Sequence, residues 1–196
     1  MDEHDLDPDP IVALASWLED ARARLPQADA MALATATPDG RPSVRIVLLR
    51  SVDEHGLTFF TNRESRKGRE LRTNPWAALC LHWWELGRQV RAEGPVEALD
   101  GEESAVYWAS RPRASQLAAW ASRQSEPLAS RDELTAEVTR ADSRFARSEV
   151  PLPAFWGGYR VRPESIELWT HREDRLHDRI AYTRDADGWT RVRLAP

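Results

Sequence analysis

The chain has 196 residues, enough for one domain with a substantial core. Its net charge of −5 leaves no excess of cations to neutralise a nucleic-acid backbone, which excludes that class of partner. A single cysteine, Cys80, excludes an internal disulfide and a cysteine-rich metal site within one chain. The start, MDEHDLDPDP, is acidic and proline-rich, unlike a signal peptide, and no apolar run approaches membrane-spanning length. A cytoplasmic location is the expectation.

Residues 1–8 read as a mobile tail and residues 9–196 as a single domain. Asp9-Pro10 opens a helix with proline at its favoured first position. Ile11, Leu14, Trp17, Leu18 and Ala21 form its apolar face, and Pro26 ends it. Residues 30–35 are a first strand, and Pro38-Asp39-Gly40 turns it into a second, 44–49. A turn at 53–56 leads to a strand at 57–61, and Ser65 caps a short helix that ends near Asn74-Pro75. Residues 76–83 are the next strand, with Cys80 buried in it, followed by a long strand at 88–99 bent around Gly94-Pro95. Strands in succession, joined by tight turns, point to an antiparallel barrel and not to βαβ units.

A helical section follows, over 101–110, 114–121 and, from the capping box Ser130 to Glu133, to about 145. Residues 150–158 are an extended loop punctuated by proline and glycine. Strands return at 159–161, 165–169, 179–183 and 189–194, with Asp187-Gly188 as a hairpin turn. The fold class is α+β, a barrel with helices packed outside. Most of the nine tryptophans should be core or interface.

Chemistry concentrates in four places. Arg66 and Lys67 stand in the first turn of the short helix, where the unpaired N–H groups and the dipole favour acids. Two cations there suit a bound dianion such as phosphate; a solvated basic turn is the alternative. Lys67 is the only lysine among 27 basic residues, and a compact ammonium differs in use from a guanidinium. Arg175, His177 and Arg179 alternate, so on a strand they share a face suited to an anionic or electron-rich ligand. The alternative is a charged edge strand with Asp174 and Asp178 as ion-pair partners. Tyr107, Arg111 and Ser115 form a donor set for a phosphate monoester, with Pro112 marking a helix break among them. Tyr107 as a packing aromatic is the other reading. Gln89 and Gln124 are neutral amides able to read the edge of a heterocycle. No Gly-rich nucleotide fingerprint, no Walker loop and no clustered metal-ligand set occurs. Two anion sets among many aromatics favour a phosphorylated aromatic cofactor with a second anionic ligand.

These residues resemble the pyridoxine/pyridoxamine 5′-phosphate oxidases over residues 9–196. The resemblance rests on Arg45-Ile46-Val47-Leu48-Leu49, Phe60-Thr61-Asn62 with Ser65-Arg66-Lys67, Arg88-Gln89-Val90, Ser110-Arg111-Pro112-Arg113, residues 151–158, residues 175–179 and Arg193-Leu194-Ala195-Pro196. It implies a split-barrel homodimer with FMN at the subunit interface. It implies FMN contacts from Arg45, Ile46, Val47, Leu48, Phe60, Thr61, Arg66, Lys67, Gln89, Gln124, Ser125, Trp169 and Arg179. Tyr107, Arg111 and Ser115, joined by Arg50, would hold the phosphate of a vitamin B6 substrate. Arg175 and His177 would hold its ring against the flavin as the catalytic pair. The implied reaction passes hydride to the flavin and then electrons to oxygen, giving peroxide and pyridoxal 5′-phosphate, with no metal.

Two positions depart from the family pattern. Arg50 stands where a lysine is usual, and Thr170-His171-Arg172 follows Trp169 where a polar residue and a glycine are usual. The Lys67-to-Leu71 and Asn74-to-Ala77 runs also resemble a related FMN oxidase of phenazine biosynthesis. A non-catalytic binder of flavin or pyridoxal phosphate is the alternative of another class.

Overall fold

In the computed structural model, residues 1 and 3–196 are described. Helix α1, Pro10–Arg24, is capped by the Asp9 carboxylate, which accepts from the Ile11 N–H. The strands are β1 (Ala30–Ala36), β2 (Pro42–Leu48), β3 (Ser51–Asp53), β4 (Gly56–Asn62), β5 (Trp76–Trp83), β6 (Arg88–Ala98), β7 (Trp156–Val161), β8 (Ser165–Thr170), β9 (Asp178–Asp185) and β10 (Gly188–Arg193). The remaining helices are α2 (Arg66–Thr73), α3 (Gly101–Ser110), α4 (Arg113–Ala121) and α5 (Arg131–Arg144).

One arc of sheet runs β10-β9-β8-β6-β5-β1-β2, and a smaller one runs β3-β4-β7-β6, with every pair antiparallel. The arcs share β6, which pairs with β8 over its first half and with β7 over Val96 to Ala98. The switch falls at Gly94-Pro95, the expected bend. A Cβ at Gly94 would run into the Arg162 carbonyl, so only glycine lets the backbones approach there.

A second switch occurs after β2. The Leu49 N–H donates to Asp29 O at 2.9 Å, and the Arg50 N–H donates to Thr58 O at 2.8 Å. The chain thus leaves the larger arc at Leu49 and joins the smaller one at Arg50. As a result β2 pairs with β1, whereas β4 pairs with β3 and β7.

The barrel interior holds Met31, Leu33, Leu57, Phe59, Leu81, Ile166, Leu168, Ile180 and Tyr182, closed by Leu14 and Leu18 of α1. Each such side chain stabilises the fold by roughly 1.5–3 kcal/mol. A second cluster, Trp108, Leu117, Phe145, Val150 and Trp156, lies beneath the helices. Four tryptophans (Trp17, Trp83, Trp108 and Trp156) are buried, but Trp84 is 74% exposed.

Three expectations change. Strand β7 begins at Trp156, inside the expected loop, because Gly157 leaves room for the Arg63 side chain and Gly158 for Phe60 of β4 and Leu99. Cys80 is half-buried on the outer face of β5, not in the core. Within the first eight residues, Glu3–Asp5 form a single 3-10 turn, and the Met1 amine ion-pairs with Asp178 at 2.7 Å. Among the described residues, no helix is long and apolar enough to cross a membrane.

Candidate active site

A cleft of about 760 Å³ opens between β2, the end of β4, the start of α2 and the α3–α4 junction. That is the size of a cofactor or small-ligand site. It brings together most of the sequence-predicted residues: Arg45, Ile46, Val47, Leu48, Arg50, Phe60, Thr61, Arg66, Lys67, Tyr107, Arg111, Ser115, Gln124 and Ser125.

Ser65 caps α2 as expected, accepting from the Gly68 N–H, and this sets Arg66 and Lys67 at the cleft. Lys67 is only 7% exposed. Its ammonium donates to Thr61 Oγ1 at 3.1 Å, Ser65 Oγ at 3.2 Å and Gln124 Oε1 at 3.0 Å. No carboxylate pairs with it among the described residues. Burial first, and the nearby Arg45 charge second, lower its pKa to about 8. Gln124 reaches it from a loop in which Ser125 takes a left-handed backbone, φ +75°.

Arg45 on β2 is held by Leu33 O at 3.1 Å, Thr35 Oγ1 at 2.6 Å and Ser43 Oγ at 2.5 Å. Sequence reasoning missed the group that organises it, Glu70, one turn along α2 from Arg66. This buried carboxylate accepts from Thr35 and Ser43 hydroxyls, Arg66 Nε at 2.8 Å and Arg45 Nη2 at 3.3 Å. Burial alone would raise its pKa, but the hydrogen bonds from Ser43, Thr35 and Arg66 outweigh that and bring it to about 2. The i,i+4 spacing from Arg66 was the available signal. The Nη atoms of Arg66 have no partner among the described residues, so its fork remains available to a ligand.

The second cation set is mounted on rings. Phe60 stacks on Tyr107 at 4.0 Å and on Trp156 at 5.5 Å. The Arg111 guanidinium lies 4.7 Å from the Trp156 ring and 5.1 Å from Trp108, and Arg50 lies 5.6 Å from Tyr107. Arg111 Nη1 is buried without a hydrogen-bond partner. Burial lowers the Arg111 pKa, with Arg50 adding to the effect. Arg111 and Pro112 break the helix between α3 and α4, so Tyr107 ends one helix and Ser115 begins the next, yet all three residues meet in the cleft. Arg50 and Arg45, five residues apart, would face opposite ways on a regular strand. The change of arc at Leu49 turns both into the same cleft.

The remaining predicted residues lie elsewhere on the chain. Gln89, Trp169 and Arg179 are register partners across β6, β8 and β9 on the outer face of the larger arc. Arg179 is anchored to Glu167 through Nε at 2.9 Å and Nη2 at 3.0 Å. His177 packs on Trp169 with ring centroids 4.7 Å apart. The expected strand face shared by Arg175, His177 and Arg179 is corrected: β9 begins only at Asp178, and Arg175 sits in a loop with φ +63°. On edge strand β2, Val44, Ile46 and Leu48 are 70%, 65% and 43% exposed, an apolar row without cover.

A split barrel with a cleft carrying two cation sets, and a second ring-and-cation patch on its outer face, defines the class. Residues 18–145 match the family described as Pyridoxamine 5'-phosphate oxidase, and residues 156–196 match its Pyridoxine 5'-phosphate oxidase C-terminal dimerisation region. The chain belongs to the pyridoxamine 5'-phosphate oxidase family. It is 56% identical over 195 residues to a pyridoxine/pyridoxamine 5'-phosphate oxidase of Rubrobacter xylanophilus, covering 99% of this chain and 90% of that one. It is 52% identical to the protein of the same name from Gluconobacter oxydans, covering 98% and 96%. Among solved structures, PhzG from Burkholderia lata 383, in complex with tetrahydrophenazine-1-carboxylic acid, aligns with a TM-score of 0.92 at 37% identity over 97% and 94% of the two chains. The dimerisation region is the segment that carries Trp169 and Arg179, and its match supports a homodimer.

Proposed function

We propose that the protein is a homodimeric FMN-dependent oxidase that converts pyridoxamine or pyridoxine 5′-phosphate to pyridoxal 5′-phosphate, with oxygen as acceptor and hydrogen peroxide as product. One observation carries this reading: the cleft holds two separate cation sets, each with a desolvated cationic group that has no carboxylate partner among the described residues. These are the buried Lys67 ammonium beside the exposed Arg66 fork and the buried Arg111 Nη1 beside the exposed Arg50. Burying an uncompensated charge is costly, and a phosphate dianion at each set relieves that cost. The donor set therefore fits FMN at the α2 end and a phosphorylated substrate at the α3–α4 junction. Relatives at 50–56% identity carry the name pyridoxine/pyridoxamine 5'-phosphate oxidase, which supports the substrate class.

FMN, when bound, supplies a two-electron acceptor for the substrate's C4′ hydrogen and passes the electrons to oxygen. The chain's own residues position the partners. Arg66, Lys67 and the Thr61 hydroxyl hold the flavin phosphate, with Arg45 and Glu70 fixing the spacing of the cations. Ser125 and Gln124 close the same end. Tyr107, Arg111, Ser115 and Arg50 hold the substrate phosphate, so that both rings are placed before reaction. Gln89, Trp169, Arg175, His177 and Arg179 complete the site from the second copy of the chain, whose patch covers the apolar row on β2.

The test is spectroscopic. Purified protein should be yellow, and pyridoxamine 5′-phosphate added without oxygen should bleach the flavin band. A flavin that stays oxidised with both B6 phosphates, yet is reduced by a dihydrophenazine, would assign the protein to the PhzG-like reaction instead.

A further inference from the structure

The loop between β8 and β9 is closed by its own contacts. The Arg175 N–H donates to Arg172 O at 3.2 Å, and the Leu176 N–H donates to Asp174 Oδ1 at 3.0 Å. The Arg172 guanidinium binds Asp178 through Nε and Nη2, each at 2.8 Å. At the loop's entrance, the His171 N–H donates to Gly87 O at 2.8 Å. Gly87 leaves room for this crossing, since a Cβ there would sit 3.1 Å from the His171 Cβ.

Inside this loop the His177 ring is gripped on more than one side. Its centroid lies 4.7 Å from Trp169 and 5.3 Å from His171. Its Nδ1 accepts the backbone N–H of Arg172 at 3.1 Å. A nitrogen that accepts an N–H carries a lone pair, so the proton of the neutral ring stands on Nε2. His171 and Arg172 come from the stretch in which this chain leaves its family's usual glycine.

We propose that His171 is a positioning residue: its ring, with Trp169 and the Arg172 backbone N–H, holds His177 as the Nε2–H tautomer, a hydrogen-bond donor toward an acceptor atom of the bound substrate. The tautomer and the ring contact are properties of this loop; only the substrate as recipient rests on the oxidase reading above. A glycine at position 171 would leave His177 one ring fewer to pack against and the loop backbone more states to lose on ordering. His171 thereby replaces freedom with preorganisation at a residue that contacts substrate.

The experiment uses the holoenzyme labelled with 15N-histidine, with long-range 1H–15N correlation spectra recorded well above the imidazole titration range. The His177 signal is assigned by its loss in His177→Gln. The wild type should show Nε2 protonated and Nδ1 bare. His171→Ala should give a mixture of tautomers and raise KM for pyridoxamine 5′-phosphate roughly three- to tenfold, the scale of one neutral hydrogen bond. Its FMN dissociation constant should not change. His171→Phe keeps a ring in place and should restore both the tautomer and KM. Protonated Nδ1 in the wild type would overturn the proposal. So would His171→Ala with wild-type tautomer and KM, or His171→Phe behaving like alanine. A protein that turned over no B6 phosphate would fail the oxidase reading, while the tautomer spectra would still decide the role of His171.

Discussion

The cleft and the outer-face patch handle charge in opposite ways. In the cleft, Lys67 and the Nη1 of the half-buried Arg111 are buried with no carboxylate partner among the described residues, and Glu70 is shared between Arg45 and Arg66. On the outer face, Arg179 and Arg91 both pair with Glu167, and Arg172 and Arg193 both pair with Asp178. Compensated charges build a fixed surface, whereas uncompensated buried ones await an anion. The comparison separates the region proposed to bind phosphate from the region proposed to present rings and amides to it.

The comparison breaks most visibly at Lys67. Lys67→Met should weaken FMN binding by about a hundredfold, the upper range for a charge-assisted hydrogen bond in a buried site, as read by flavin fluorescence titration. A loss below about threefold would mean that the buried ammonium serves the fold and not the phosphate.

Arg50 tests the second set. Arg50→Ala should raise KM for the phosphorylated substrate by roughly tenfold and leave the FMN dissociation constant nearly unchanged. Steady-state kinetics beside the titration separates the two. Arg50→Lys should be milder, since the charge survives while the planar contact with Tyr107 is lost. Equal losses of substrate and FMN affinity for Arg50→Ala would move this residue to the flavin end.

The smallest effect is a pH dependence. Lys67 has its pKa lowered to about 8 in the ligand-free chain, by burial and then by Arg45. A bound phosphate dianion favours the charged form and raises that pKa, so binding takes up a proton above pH 8. FMN affinity should therefore hold steady just below pH 8 and fall as pH rises through it, by at most about tenfold per unit. The nearby Glu70 carboxylate, at about 2, is ionised throughout that window. Titrations at a series of pH values should show the slope in the wild type and none in Lys67→Met.

Much of this was legible in the residues themselves, and the exceptions have physical causes. The Ser65 cap, the Gly94-Pro95 bend and the Tyr107-Arg111-Ser115 set depend on local chemistry, so short stretches reveal them. The change of arc at Leu49 was hidden, because it depends on which distant backbone groups, Asp29 O and Thr58 O, receive the two N–H donors. Glu70 looked like an ordinary helix-surface acid; only the approach of Thr35 and Ser43 from β1 and β2 buries it. The loop at Arg175 and His177 was read as strand because alternation alone does not reveal that Asp174 turns the backbone and Arg175 adopts φ +63°. The glycines before Tyr159 concealed the start of β7, since strand propensity assigns them to loops.

The central claim is that each working site joins the cleft of one copy to the patch of the other. Subunit mixing tests it directly. Lys67→Met disables a cleft and His177→Gln disables a patch, so each homodimer should have little activity. In a mixed dimer, one site receives both defects and the other receives none. After unfolding and refolding an equimolar mixture, half of the dimers are mixed, and activity should recover to about a quarter of wild type by that statistical count. If cleft and patch of the same copy worked together, every site would carry one defect, and the mixture would show no recovery above the separate variants.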